Sequence, residues 1–191
     1  KTNHYVVANT TLPEFDYPKG ETNQHVHYSG KGGVQLNSIV KRLLFAYHFS
    51  DIKLLISSYL QPKSRIIYDR HIRTIINKLA PFLLYDRDPY LVLTKSGRLV
   101  WMVDAYTTSK YYPYSKPYRN SINYIRNSVV VTIDAYDGST RFYVKDTKDP
   151  LIKSYQHIFP SLFSPLSELP DGLVDHIRYP KDLFTVQSHL Y

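Results

Sequence analysis

Apolar positions change their period twice along the chain. From Val34 they fall at helical spacing, with Leu36, Ile39, Val40, Leu43, Leu44 and Tyr47 on a stripe and Lys41, Arg42 and His48 off it. Ser50 or Asp51 then caps a segment whose face is Ile52, Leu55, Ile56 and Tyr59, and Pro62 ends it. Asp69 reads as the cap of a third helix, with Ile72, Ile75, Ile76 and Leu79 on one side and Pro81 as its stop. Past Pro89 the period shortens to two. Tyr90–Thr94 and Arg98–Ala105 flank Lys95-Ser96-Gly97, and Ser128–Tyr136 and Ser139–Asp146 flank Asp137-Gly138. Each set reads as a hairpin, because Asp and Gly tolerate the positive φ of a tight turn. After Asp149-Pro150 the helical period returns, in Leu151–Ile158, a short piece near Gly172–Ile177, and Pro180–Leu190.

Before Val34 no helical period exists. Tyr5–Ala8 reads as a short strand, and Pro13, Pro18, Gly20, Gly30, Gly32 and Gly33 interrupt the chain between it and Val34. The expected organisation is therefore one α+β domain over 1–191: an extended arm (1–33), a helical part (34–83), two hairpins (89–146) and a second helical part (149–191). The hairpins are expected to form a four-stranded antiparallel sheet, packed with helices from both the N-terminal and the C-terminal parts.

One phrase occurs twice. VWMVDAYTTS (Val100–Ser109) returns as VVTIDAYDGS (Val130–Ser139), so both inner strands carry Asp-Ala-Tyr. In strand parity Asp104 and Asp134 lie opposite the main apolar stripe. A pair of carboxylates there could hold a cation, share a proton or act as acid and base; otherwise each accepts backbone N–H bonds at a turn. Between the hairpins runs YTTSKYYPYSKPYRNSINYIRN, 106–127, with tyrosines at Tyr106, Tyr111, Tyr112, Tyr114, Tyr118 and Tyr124 and cations that include Arg119 and Arg126. Loops longer than about 12–15 residues are usually functional or disordered, and this aromatic content argues against disorder. Tyr and Arg anchor interfaces and stack on planar groups. The alternative is a cap, with the loop folded over the open face of the sheet.

Composition narrows the classes. The net charge is +8, with 24 Lys and Arg against 16 Asp and Glu, but the cations are scattered and form no basic tail. With no cysteine, disulfides, thiolate metal sites and Cys nucleophiles are excluded. No stretch approaches the roughly 20 apolar residues that span a bilayer. His25-Val-His27 offers two ligands and no third, and Asp134-x-x-Asp137-Gly138-Ser139 lacks the spacing of a calcium loop, so no metal and no cofactor is expected. No Gly-x-Ser-x-Gly, His-Glu-x-x-His or phosphate-binding loop is present, and no RNA-binding strand signature supports a nucleic-acid partner. Asp86-Arg87-Asp88 is a charged turn with Arg65 or Arg70 as candidate ion-pair partners.

A series of motifs in fixed order carries a resemblance. These are EFDYP (Glu14–Pro18), YSGKGGV (Tyr28–Val34), Ser64-Arg65, APFL (Ala80–Leu83), DPY (Asp88–Tyr90) and GRLVWMVDAYTTS (Gly97–Ser109). They continue as YPYS (Tyr112–Ser115), NYIRNSV (Asn123–Val129), DAYDG (Asp134–Gly138), FYVKD (Phe142–Asp146) and RYPKDLF (Arg178–Phe184). The series resembles the bacterial UPF0182 family of large uncharacterised membrane proteins over nearly the whole chain. That family usually has Lys where this chain has Val130. The resemblance implies a fragment of the hydrophilic region that comes after several membrane helices. It would sit at the bacterial cell membrane on the extracytoplasmic side, with its own transmembrane region as one partner and an envelope protein or anionic wall polymer as another. It implies no catalytic residue.

The expected function is a non-catalytic binding module using Asp104, Tyr106, Tyr111, Tyr112, Tyr114, Tyr118, Arg119, Tyr124, Arg126 and Asp134. The alternatives are an envelope-acting hydrolase built on the Asp pair and a purely structural or oligomerisation domain.

Overall fold

The computed structural model describes residues 5–119 and 121–190; residues 1–4, Asn120 of the expected loop and Tyr191 lie outside them. The chain divides between His71 and Ile72 into two compact units.

The first unit begins with β1 (Tyr5–Ala8), β2 (Glu14–Lys19) and β3 (Thr22–Val26). β1 stands where Tyr5–Ala8 was expected as a short strand, but the rest of the expected arm is not all loop, since β2 and β3 form an antiparallel hairpin of their own. Next come β4 (Val34–Gln35), α1 (Ile39–Phe49), α2 (Lys53–Ile56) and β5 (Arg65–Tyr68). β5 pairs antiparallel with β1 on one side and β4 on the other. The helix starts later than its period suggests because β4 claims Val34 and Gln35, and Ser38 then caps it by accepting the N–H of Lys41. Gly33 is required where it stands: its φ is +73° and an added Cβ would lie 2.6 Å from the Ile66 carbonyl oxygen. Leu36, Ala46, Leu54 and Ile66 form the core, with Tyr5, Phe45 and Phe49 packed on it. Arg65 donates to the carbonyls of Lys31, Gly32 and Gly33 and so pins the preceding loop.

The second unit runs α3 (Ile72–Leu79), β6 (Leu84–Tyr85), β7 (Tyr90–Leu93), β8 (Leu99–Ser109), β9 (Tyr124–Asp134) and β10 (Thr140–Val144). It ends with α4 (Pro150–Ile158), β11 (Phe163–Pro165), two single 3₁₀ turns at Leu166–Glu168 and Val174–His176, and α5 (Lys181–Leu190). The fold is α+β, as the alternation of periods predicts. Both hairpins form and pair through β8 and β9, but the sheet has six strands among the described residues, not four. β8 and β9 are eleven residues each, so β8 has room on its outer edge for β7 and then β6, while β11 adds in parallel beside β10.

Both faces of this sheet are covered. On one, Val103, Ala105, Val129, Val131, Ile133 and Phe142 pack with Ile76 and Ile152 of α3 and α4. On the other, Met102, Val130 and Tyr143 pack with Leu169 and Leu173 of the stretch before α5. That stretch occupies the face that the tyrosine loop was an alternative candidate to cap.

Candidate functional site

Strand pairing separates the two carboxylates. Asp104 is opposite Val130, and Asp134 is opposite Val100. Both keep the same face, but antiparallel neighbours place them four residues apart along the sheet, about 14 Å at ~3.4 Å per residue. Asp104 is buried and ion-paired with Lys145 at 3.0 Å. Asp134 pairs with Arg98 at 2.7 Å and accepts the N–H groups of Tyr136 and Asp137 in the turn that Gly138 closes at φ +73°. An acid and base acting on one bond is therefore not formed by this pair.

The tyrosines divide into three groups. Tyr106 belongs to β8; it is fully buried and donates to Asp86, and burial together with that hydrogen bond pushes its pKa far up. It is unavailable to a ligand, contrary to expectation. Tyr124 opens β9 and donates to Asp149 at 2.6 Å, its pKa raised to about 12 by burial and then by that bond. Arg126 is likewise engaged, 2.7 Å from Asp146. Tyr111, Tyr112 and Tyr114 are the ones presented to solvent, at 80%, 51% and 109% relative exposure. Tyr118 lies between, meeting the His189 ring of α5 edge-on at 6.0 Å with Arg119 over its own face at 5.2 Å.

The true connection is thus 110–123, shorter than the expected 106–127. Asn123 holds it in shape. Its amide donates to the carbonyls of Tyr112 and Ser115 and accepts the N–H of Tyr112, while the Ser115 hydroxyl donates back to the Asn123 carbonyl. Tyr112 stacks on Tyr124 with centroids 5.1 Å apart. Tyr114 and Arg119 both have positive φ, 59° and 46°, a conformation that bulky side chains adopt only where the surroundings hold it. Beside the loop Thr108, Ser109, Lys110, Tyr111, Ser121 and Ile122 line an open groove of about 300 Å³, with the Lys110 ammonium 5.1 Å above the Tyr111 ring. No acidic residue occurs from 105 to 133, so the charged side chains of the loop itself, Lys110, Lys116 and Arg119, are all cationic.

Several residues that shape the site escape sequence reading. Asp149 is fully buried and accepts the hydroxyls of Thr107, Ser128 and Tyr124 as well as the N–H of Leu151, which makes it both cap of α4 and clamp on the loop ends of β8 and β9. Burial opposes its charge, but these bonds outweigh burial and hold its carboxyl below the usual range. Asp-Pro ahead of an apolar helical period is the signal that could have found it. The charged turn closes inside the unit. Asp86 accepts from Tyr106, Asp88 pairs with Arg178 at 2.9 Å, and Arg87 pairs with Asp182 at 2.8 Å. His25 lies edge-on to Phe15, and His27 faces Glu14 at 3.7 Å. Among the described residues no group of three or more His, Asp or Glu is placed to hold a metal ion.

A family model described as "Uncharacterised protein family (UPF0182)" matches residues 1–191. A UPF0182 protein of Sulfurovum sp. (strain NBC37-1) is 51% identical over all of this chain and 21% of its own length. One from Desulforamulus reducens is 52% identical over 98% of this chain and 20% of its own length, and one from Clostridium acetobutylicum is 50% identical over 100% and 21%. The chain thus spans about a fifth of the length of the curated relatives it matches. No solved structure matches.

Proposed function

The chain belongs to the UPF0182 family of uncharacterised proteins, and from that premise we propose that it is a non-catalytic interaction module of a bacterial membrane protein. It works on the extracytoplasmic side, is joined to that protein's transmembrane region, and engages an anionic envelope polymer through the loop 110–123. The observation that carries the reading is the exposure of Tyr111, Tyr112 and Tyr114 in a loop that Asn123 holds in place, while Leu166, Leu169 and Leu173 cover the sheet in its stead. Rigid, flat rings pack against a polyol chain at little entropic cost, and Lys110, Lys116 and Arg119 supply charge for its phosphate groups. The extracytoplasmic placement draws on the likeness to a family of membrane proteins.

The test is a thermal-shift titration of the 191-residue chain with poly(glycerol phosphate) and, in parallel, with neutral dextran. An excess of about 100 Kd stabilises by about 2.7 kcal/mol, a rise of a few degrees in Tm. The anionic polymer is expected to produce it and dextran not, and Tyr112→Ala/Tyr114→Ala to remove it. Equal response to both polymers, or a response the double variant retains, defeats the reading.

A further inference from the structure

A second surface plays no part in that reading. α1 carries apolar side chains on both sides of its axis. Its inner side sends Phe45, Ala46 and Phe49 into the core of the first unit. Its outer side leaves Ile39, Val40, Leu43, Leu44 and Tyr47 in solvent, between 55% and 85% exposed. These residues recur at i, i+4 and i+8, so they form a stripe along the helix. α2 packs on α1, and Ile52 just before it and Ile56 at its end are also exposed, at 66% and 73%. A helix apolar on two sides buries only one of them here, and a contiguous exposed apolar patch marks an interaction surface.

The charge around the stripe indicates what covers it. From 34 to 65 the cations are Lys41, Arg42, Lys53, Lys63 and Arg65, and the single acid, Asp51, already accepts the hydroxyl of Tyr5 at 2.6 Å. Lys41 and His48 border the stripe along its helical edge. A second copy of the chain would bring these cations against their like. A surface that is apolar beneath and anionic at its boundary satisfies both features together. Tyr47 at one end and the exposed Tyr59 beyond α2 have the amphipathic rings that settle at such a boundary.

We propose that α1 and α2 dock on an anionic lipid bilayer. α1 lies in the plane of the interface, with Leu43 and Leu44 entering the acyl boundary to a depth of about 5–10 Å and Lys41 and Lys53 meeting headgroup phosphates. An eleven-residue helix is too short to span, so the contact is peripheral and salt-sensitive.

Vesicle flotation of the 191-residue chain tests this, using equal parts phosphatidylglycerol and phosphatidylcholine against phosphatidylcholine alone. The chain is expected to float with the anionic vesicles at low salt and to leave them at high salt. Leu43→Glu/Leu44→Glu, at exposed positions, is expected to weaken flotation at least about tenfold with Tm unchanged, while Tyr112→Ala/Tyr114→Ala floats like the parent. Failure to float as a monomer overturns the proposal. So does failure to float as a dimer that the Glu variant dissociates, which assigns the stripe to a second copy. Flotation that the Glu variant keeps and the loop variant loses overturns it as well.

Discussion

Asp149 shows what one buried carboxylate does when four donors converge on it. Replacing it with Ala uncaps α4 and leaves the buried hydroxyls of Thr107 and Ser128 with only each other, 3.3 Å apart, to bond. The expected cost is about 2–4 kcal/mol in urea denaturation. The same residue sets an acid limit. Asp149 and Asp182 both titrate below the ordinary range; burial raises each, but the Ser128, Thr107 and Tyr124 hydroxyls outweigh it at Asp149 and Arg87 does so at Asp182. A depressed carboxylate gives stability that is complete above its unfolded pKa, about 3.9, and is lost as pH falls through its folded pKa. Tm is therefore expected to fall from about pH 4 downward, and the Asp149→Asn curve to be flatter and to approach the parent's at low pH. Parallel curves would assign the acid sensitivity elsewhere. The repeated Asp-Ala-Tyr shows how far single residues can be read in advance. In β8 Asp104, Ala105 and Tyr106 are buried; in the second copy Asp134 ends β9, and Ala135 and Tyr136 enter a turn. The tripeptide does not decide between these states. Thr107-Thr108-Ser109 lets the first strand continue, and Asp137-Gly138 bends the second.

Elements were legible where one period persists and obscure where polar residues are buried. α3, α4, α5 and both hairpins stand close to their expected places because their apolar positions repeat cleanly. The loop-side ends of β8 and β9 were hidden, since Thr107, Thr108 and Ser109 and Arg126 and Asn127 look like loop. They are strand because Asp149 and Asp146, distant in sequence, take their hydroxyls and guanidinium. β5 was hidden too, as Arg65–Tyr68 is too short to show a period. In the loop, shape matters as much as composition. Asn123→Ala keeps every tyrosine but removes the three side-chain bonds that tie it to Tyr112 and Ser115. Binding to the anionic polymer is expected to fall at least about tenfold, at a stability cost of about 1–2 kcal/mol. Unchanged affinity would mean that the rings alone, without a fixed frame, suffice.

At the scale of the whole molecule each unit carries its own core and its own candidate surface. The first has Leu36, Ala46, Leu54 and Ile66 inside and the α1 stripe outside. The second has a sheet buried on both faces and the tyrosine loop at its end. A segment of about 120 residues buries roughly two-thirds of the surface its unfolded chain exposes, enough for independent stability. Residues 72–191 made alone are therefore expected to unfold in one cooperative thermal transition and to keep the response to poly(glycerol phosphate), but not to float with anionic vesicles. Calorimetry, thermal shift and flotation on that one piece check all three. Its slowest-exchanging amides should lie where β8 and β9 pair centrally, Met102–Ala105 against Val129–Thr132, because opening there requires both packed faces to part. A piece that folds and floats would move the lipid contact off α1, and a piece that fails to fold would make the sheet's stability depend on residues before Ile72.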